Sequence, residues 1–119
     1  YVRAGHDEPL IVRQDGKAEF LGGQGRFLGL WGDIPPTLEE QQLQLNAGDC
    51  LIIYSDGVTD VVRPEDGQMY GLSRLKEKVI KNGHCSAQKL VDLIVEDVDN
   101  FRNNAEQPDD LTLLVTKAI

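Results

Sequence analysis

Short apolar runs separated by glycine, proline and aspartate dominate the first half of the chain. Residues 1–4 (YVRA), 10–13 (LIVR) and 18–21 (AEFL) each read as a strand, and Asp15 with Gly16 supplies a hairpin signal between the last two. The glycines and paired prolines of residues 22–36 forbid a helix and predict an irregular loop. Residues 38–45 alternate only in part, with Leu43 and Leu45 on one face, as suits a half-exposed strand, and residues 46–49 (NAGD) form a turn. The run CLIIYSD at 50–56 is nearly continuous in apolar, β-branched and aromatic residues, which predicts a central strand buried on both faces between layers.

The period then changes. After the loop RPEDGQMYG at 63–71, Leu72, Leu75, Val79 and Ile80 fall at helical spacing over residues 72–81, and Asn82-Gly83 is expected to supply the left-handed residue that stops the helix. Ser86 is a good N-cap for a longer helix whose apolar face is Leu90, Val91, Ile94, Val95, Val98 and Phe101, ending near Arg102. That face ordinarily packs into the protein's own core. The tail LTLLVTKAI at 111–119 returns to β-branched residues and reads as a closing strand. Strands, two helices and a strand, without regular alternation, give an α+β class with helices packed on an antiparallel sheet or sandwich.

Bulk properties narrow the partners. The chain has 119 residues, the size of one domain or part of one, and its 40% hydrophobic and 27% charged residues are ordinary for a globular protein. Twenty acidic against twelve basic residues give a formal charge of −8, which repels nucleic acid and anionic membrane surfaces. No apolar run approaches the ~20 residues of a membrane-spanning helix, and no signal segment opens the chain, so a soluble cytoplasmic protein is expected. Cys50 and Cys85 belong to no C-x-x-C pair and read as two free thiols. The opening YVRAGH resembles the second half of a strand without an initiator methionine, so a piece of a longer chain is expected.

Two acidic clusters adjoin strongly predicted strands. Asp56, with Asp60 four residues on, follows the central strand, and Asp109-Asp110 precedes the last one. If those strands are antiparallel neighbours, Asp56 and Asp109 come together at one end of the sheet. Carboxylates gathered without a cation repel one another, so such a cluster has either protonated members or a bound metal. Oxygen-only ligands favour Mg²⁺, Mn²⁺ or Ca²⁺ over zinc, and a pair of such ions clamps phosphate and activates water, the chemistry of phosphoester hydrolysis. Each cluster also has a structural reading, Asp-Gly as an ordinary turn and Asp-Asp as a solvated loop. An EF-hand is rejected because Val58 interrupts the alternation of oxygen ligands after Asp56. GGQGRFLG lacks the G-x-G-x-x-G spacing and a following helix, which argues against a nucleotide loop.

Six motifs in register carry a family resemblance: AGHDEPL at 4–10, GRFLGLW at 25–31, LNAGDCLIIYSDGVTD at 45–60, MYGLSRL at 69–75, SAQKLVDLIVEDV at 86–98 and QPDDLTLLV at 107–115. Together they resemble the metal-dependent protein phosphatase 2C-like family, in its bacterial branch of stage II sporulation protein E and sigma-factor regulator phosphatases. The resemblance spans essentially the whole chain. It implies an antiparallel β-sandwich flanked by helices, with a binuclear Mn²⁺ or Mg²⁺ centre that hydrolyses phosphoserine or phosphothreonine on a regulatory protein.

Carried onto this sequence, the resemblance makes Asp56 the ligand of the S-D-G motif and Asp109 the ligand before the last strand. Asp110 becomes a supporting partner, Gly57 a point of close backbone approach, Asp60 a cap or supporting group for the turn after Asp56, and His6 a residue with an auxiliary role at the periphery. The family's first metal-binding Asp-Gly pair has no counterpart in residues 1–119. The expectation is therefore the C-terminal portion of one phosphatase domain, weak in metal binding and inactive by itself, with a sensor or receiver domain upstream. Uncovered apolar strand faces would favour a homodimer. The alternative is a non-catalytic regulatory or protein-binding module that keeps the fold without the chemistry.

Overall fold

A computed structural model describes residues 1–25, 27–29, 38–103, 105–107 and 109–119. Arg26, Leu30 and Trp31 of the GRFLGLW motif, residues 30–36 of the loop predicted over 22–36, and Pro108 lie outside the described residues. Among the described residues, four strands, β1 (Leu10–Val12), β2 (Ala18–Phe20), β3 (Cys50–Tyr54) and β4 (Leu113–Lys117), form one sheet in the order β2-β1-β3-β4. Every pairing is antiparallel, with Leu10 opposite Phe20 and Ile52, and Tyr54 opposite Leu113. Helices α1 (Asp56–Thr59), α2 (Gly71–Asn82) and α3 (Ala87–Arg102) follow β3.

The helices cover one face of the sheet because side chains alternate along each strand. Leu10 and Val12 of β1 and Cys50, Ile52 and Tyr54 of β3 point to that side and are buried. They meet Val58 of α1, Leu75 and Val79 of α2, and Leu90, Ile94, Val98 and Phe101 of α3 in a single core cluster. The α+β arrangement expected from the chain is therefore present. Among the described residues, no helix is long and apolar enough to cross a membrane.

The hairpin between β1 and β2 turns at Gly16, whose φ of +83° is the left-handed conformation a glycine tolerates at little cost, and Arg13 and Lys17 close it through a 2.8 Å backbone hydrogen bond. The turn before β3 is built on Asp49. Its nearly inaccessible carboxylate accepts hydrogen bonds from the Arg13 guanidinium (2.9 Å) and from the backbone N–H groups of Gln14 and Asn46 (3.0 Å each). The Asn46 amide and the Arg13 side chain hold that carboxyl below its ordinary pKa.

Several local expectations are corrected. Residues 1–4 and 38–45 are not strands; among the described residues, Tyr1 and Gln41 are joined by reciprocal bonds of 2.7 and 2.8 Å. Each segment has too few apolar residues on one face to secure a register. β3 is buried on one face only, and Leu51 and Ile53 on the other are half-buried. That face borders a cavity of about 320 Å³ lined by Tyr1, Val2, His6, Leu21, Leu51 and Ile53 among others. Gly83 has φ −61° and is not left-handed. The end of α2 is instead held by Lys117 of β4, whose ammonium donates to the carbonyls of Gly83 (2.8 Å) and Cys85 (2.7 Å). The left-handed stop falls on Asn103 after α3, with φ 46°.

Candidate active site

The register of β3 with β4 fixes where the acidic residues lie. Tyr54 ends β3 opposite Leu113, which begins β4, so the residues after 54 and those before 113 leave the same end of the sheet side by side. Asp56 opens α1 there and Asp109-Asp110 lead into β4, and all three carboxylates are exposed. The chain does not run on as strand to residue 56. Ser55 has φ −92° and ψ 165°, and Asp56 turns into the short helix, closed by a 2.8 Å hydrogen bond from the Asp60 N–H to the Asp56 carbonyl.

The two loops interlock. The Ser55 N–H donates to the Thr112 carbonyl, the Ser55 hydroxyl donates to the Asp110 carbonyl, and the Thr112 N–H donates back to that hydroxyl, each at 3.0 Å. Gln107 donates its side-chain amide to the Gly57 carbonyl at 2.8 Å. Gly57 is buried, and a Cβ there would stand 2.8 Å from the Asp110 carbonyl carbon and 3.1 Å from the Leu111 Cα, with the Asp110 oxygen nearer still.

The remaining candidates sit around this point. Asp60 ends α1 and accepts a hydrogen bond from the Thr59 hydroxyl at 3.3 Å. His6 belongs to the loop before β1, and because Leu10 faces Ile52, that loop runs past the same end of β3. The Tyr54 hydroxyl donates to the Glu8 carbonyl at 2.9 Å and ties it down; burial, with the charges of Asp7 and Glu8, pushes the Tyr54 phenol up to about 12. Among the described residues, the His6 ring has its hydrogen-bonding contact with the Asp7 carbonyl, at 3.1 Å. Thus the backbones of the Asp56–Gly57 and Asp109–Asp110 segments are brought side by side, Asp60 follows at the end of α1, and His6 lies in a loop at the same end of the sheet.

The donor chemistry suits a hard divalent cation. The carboxylates are exposed, none is paired with a base among the described residues, and the backbones approach at Gly57 as closely as a missing Cβ allows. The shell is partial. Among the described residues, no three His, Cys, Asp or Glu side chains converge into a group able to hold a metal ion.

The sequence model of stage II sporulation protein E (SpoIIE) matches residues 1–118. The chain belongs to the SpoIIE family. Protein IcfG of Synechocystis sp. (strain ATCC 27184 / PCC 6803 / Kazusa) is 28% identical over 114 residues, covering 96% of this chain and 17% of IcfG. Two solved structures share the fold. The SiaA-PP2C domain of Pseudomonas aeruginosa superposes with a TM-score of 0.79 at 18% identity, over 94% of this chain and 43% of that one. The Mn-presoaked phosphatase domain of the cell fate determinant SpoIIE from Bacillus subtilis does so at 0.67 and 23%, over 97% and 48%. This SpoIIE-family chain thus spans less than half of either solved chain and a smaller share of IcfG.

Sequence reasoning passed over Ser55 and Gln107. Ser55 stood inside the quoted S-D-G motif and Gln107 two residues before Asp109, so the available signal was a polar side chain flanking each acid.

Proposed function

We propose that these residues form the C-terminal part of a metal-dependent protein serine/threonine phosphatase domain of the SpoIIE type. Its substrate would be a phosphoserine or phosphothreonine of a regulatory protein in a cytoplasmic sigma-factor cascade. The observation that carries this reading is the interlocking of the Asp56 and Asp109 loops at one end of the β3–β4 pair, in a chain of this family.

In this reading Asp56 and Asp109 hold Mn²⁺ or Mg²⁺, Asp110 and Asp60 support them, Gly57 permits the close approach, and His6 stands at the rim. A divalent cation bound there supplies positive charge to a phosphate and lowers the pKa of a coordinated water. The chain's own contribution is orientation: β3 and β4 are rigid neighbours, so both carboxylates leave fixed backbones. It also contributes selectivity by charge, because the acids left bare repel a phosphorylated side chain. The other ligands would come from a portion of the domain upstream, preceded by a sensor or receiver domain. The half-covered sheet face would be occupied by that portion or, in an isolated fragment, by a second copy.

The test is turnover of p-nitrophenyl phosphate and of a phosphoserine peptide by the full-length protein with Mn²⁺. Asp56→Asn should lower kcat/KM about 100-fold or more, since a metal's charge stabilisation is worth several kcal/mol at ~1.4 kcal/mol per tenfold. Equal turnover by the variant would remove Asp56 from the mechanism. An inactive parent protein would favour the non-catalytic module.

A further inference from the structure

We propose that Ser55 and Gln107 are positioning residues that set the separation of Asp56 from Asp109, and so the affinity for the divalent cation. The inference rests on the phosphatase reading and adds two residues to it.

Ser55 occupies the N-cap position of α1, where a serine hydroxyl ordinarily accepts a hydrogen bond from the second or third N–H of the helix. It makes no such bond. Its oxygen instead gives its proton to the Asp110 carbonyl and accepts from the Thr112 N–H, 55 and 57 residues away in sequence. A residue type suited to a local task has been turned to a long-range one, and departures of that kind from local rules concentrate at functional sites.

Gln107 performs the matching task from the other loop. A helix of only four residues leaves its later carbonyls without partners inside it, and the Gly57 carbonyl is one of these. The Gln107 amide reaches across 50 residues to satisfy it. Ser55 therefore holds the residues after Asp109, and Gln107 holds the residue after Asp56. Each bond joins one acid-bearing loop to the other, and neither residue belongs to the hydrophobic core. A bound cation tolerates donor displacements of only ~0.2 Å, so loops locked beforehand bind it more tightly than loops ordered on binding.

The experiment is a Mn²⁺ titration of the full-length protein, read from the electron paramagnetic resonance signal of the free ion. It compares the parent with Ser55→Ala, Ser55→Thr, Gln107→Leu, Asp56→Asn and Tyr70→Phe. Ser55→Ala and Gln107→Leu should each raise the Kd about tenfold, as loss of groups that orient metal ligands commonly does. Ser55→Thr keeps the hydroxyl and should hold the Kd within about twofold of the parent. Tyr70→Phe removes a 2.8 Å hydrogen bond to Asp97 between α2 and α3, so it should lower the melting temperature and leave the Kd unchanged. Parent-like affinity in Ser55→Ala and Gln107→Leu, with binding lost in Asp56→Asn, would overturn the positioning role and leave the phosphatase reading standing. An increase in Tyr70→Phe equal to theirs would assign the effect to general stability and overturn it as well. A parent protein that binds no Mn²⁺, or an Asp56→Asn variant that binds normally, would remove the phosphatase reading and this inference with it. Should Gln107→Leu not fold, the Ser55→Ala and Ser55→Thr pair decides.

Discussion

Replacing Gly57 by alanine should destabilise the protein, although the position is helical and alanine is the better helix former by ~1 kcal/mol. The added Cβ would lie 2.8 Å from the Asp110 carbonyl carbon, about 0.7 Å inside the ~3.5 Å at which carbon atoms make their best contact. Both neighbours it meets are backbone, so no side-chain rotation relieves the overlap. A shift of that size in the lead-in to β4 stretches the two 3.0 Å bonds of the Ser55 hydroxyl to ~3.7 Å, beyond hydrogen-bonding range. Two such bonds are worth ~2 kcal/mol together, and forcing atoms into a packed site costs another ~2 kcal/mol. Set against the helical gain, the net loss is ~3 kcal/mol. Equilibrium urea unfolding followed by circular dichroism measures it. A double-mutant cycle sharpens the reading: with the Ser55 bonds already broken, Ser55→Ala should cost much less in the Gly57→Ala background than in the parent. An alanine variant as stable as the parent, or additive behaviour in the cycle, would refute the close approach on which the site is built.

Two further predictions concern the rest of the molecule. Burial alone would push Asp97 up, but hydrogen bonds from Arg74 and Tyr70 and the charges of Arg74 and Lys78 outweigh it and hold the carboxyl below its ordinary pKa. Stability from this group is therefore complete above the unfolded-state value of ~3.9 and fades as pH falls through the lower folded value, so Asp97→Asn should flatten the acid limb of a stability–pH curve; an unchanged limb would contradict the network. Cys50 is buried and burial pushes its thiol up, while Cys85 is partly exposed, so Ellman's reagent at pH 8 should titrate one thiol in the native protein and two in denaturant, with Cys85 identified by mass spectrometry. Two fast thiols in the native state would contradict the packing of β3.

The elements that could be read from the chain were those with a strong period. α3 was expected from Ser86 to about Arg102 and runs from Ala87 to Arg102, with the Ser86 hydroxyl accepting from the Lys89 N–H at 3.2 Å. α2 was expected over 72–81 and runs one residue further at each end, Gly71–Asn82. β3 was legible as a strand because its apolar run is long, but a run cannot say how much cover each face receives. Residues 1–4 and 38–45 misled because weak alternation is also produced by loops whose scattered apolar residues merely line a cavity. The end of α2 misled for another reason: Asn-Gly is a general stop signal, and the actual stop is a lysine 34 residues away, invisible to local rules.

That Asp56 follows one strand and Asp109-Asp110 precede another was legible in the chain. What sequence alone could not supply was the β3–β4 register that sets their loops side by side, nor the bonds from Ser55 and Gln107 that join those loops.

The central claim, that Asp56 and Asp109 share a divalent cation, is tested most directly by anomalous diffraction from crystals of the full-length protein grown with Mn²⁺. The account predicts a manganese peak coordinated by a carboxylate oxygen of Asp56, with Asp109 ligating the same ion or its immediate partner. Manganese bound elsewhere, with both carboxylates left in solvent, would contradict it.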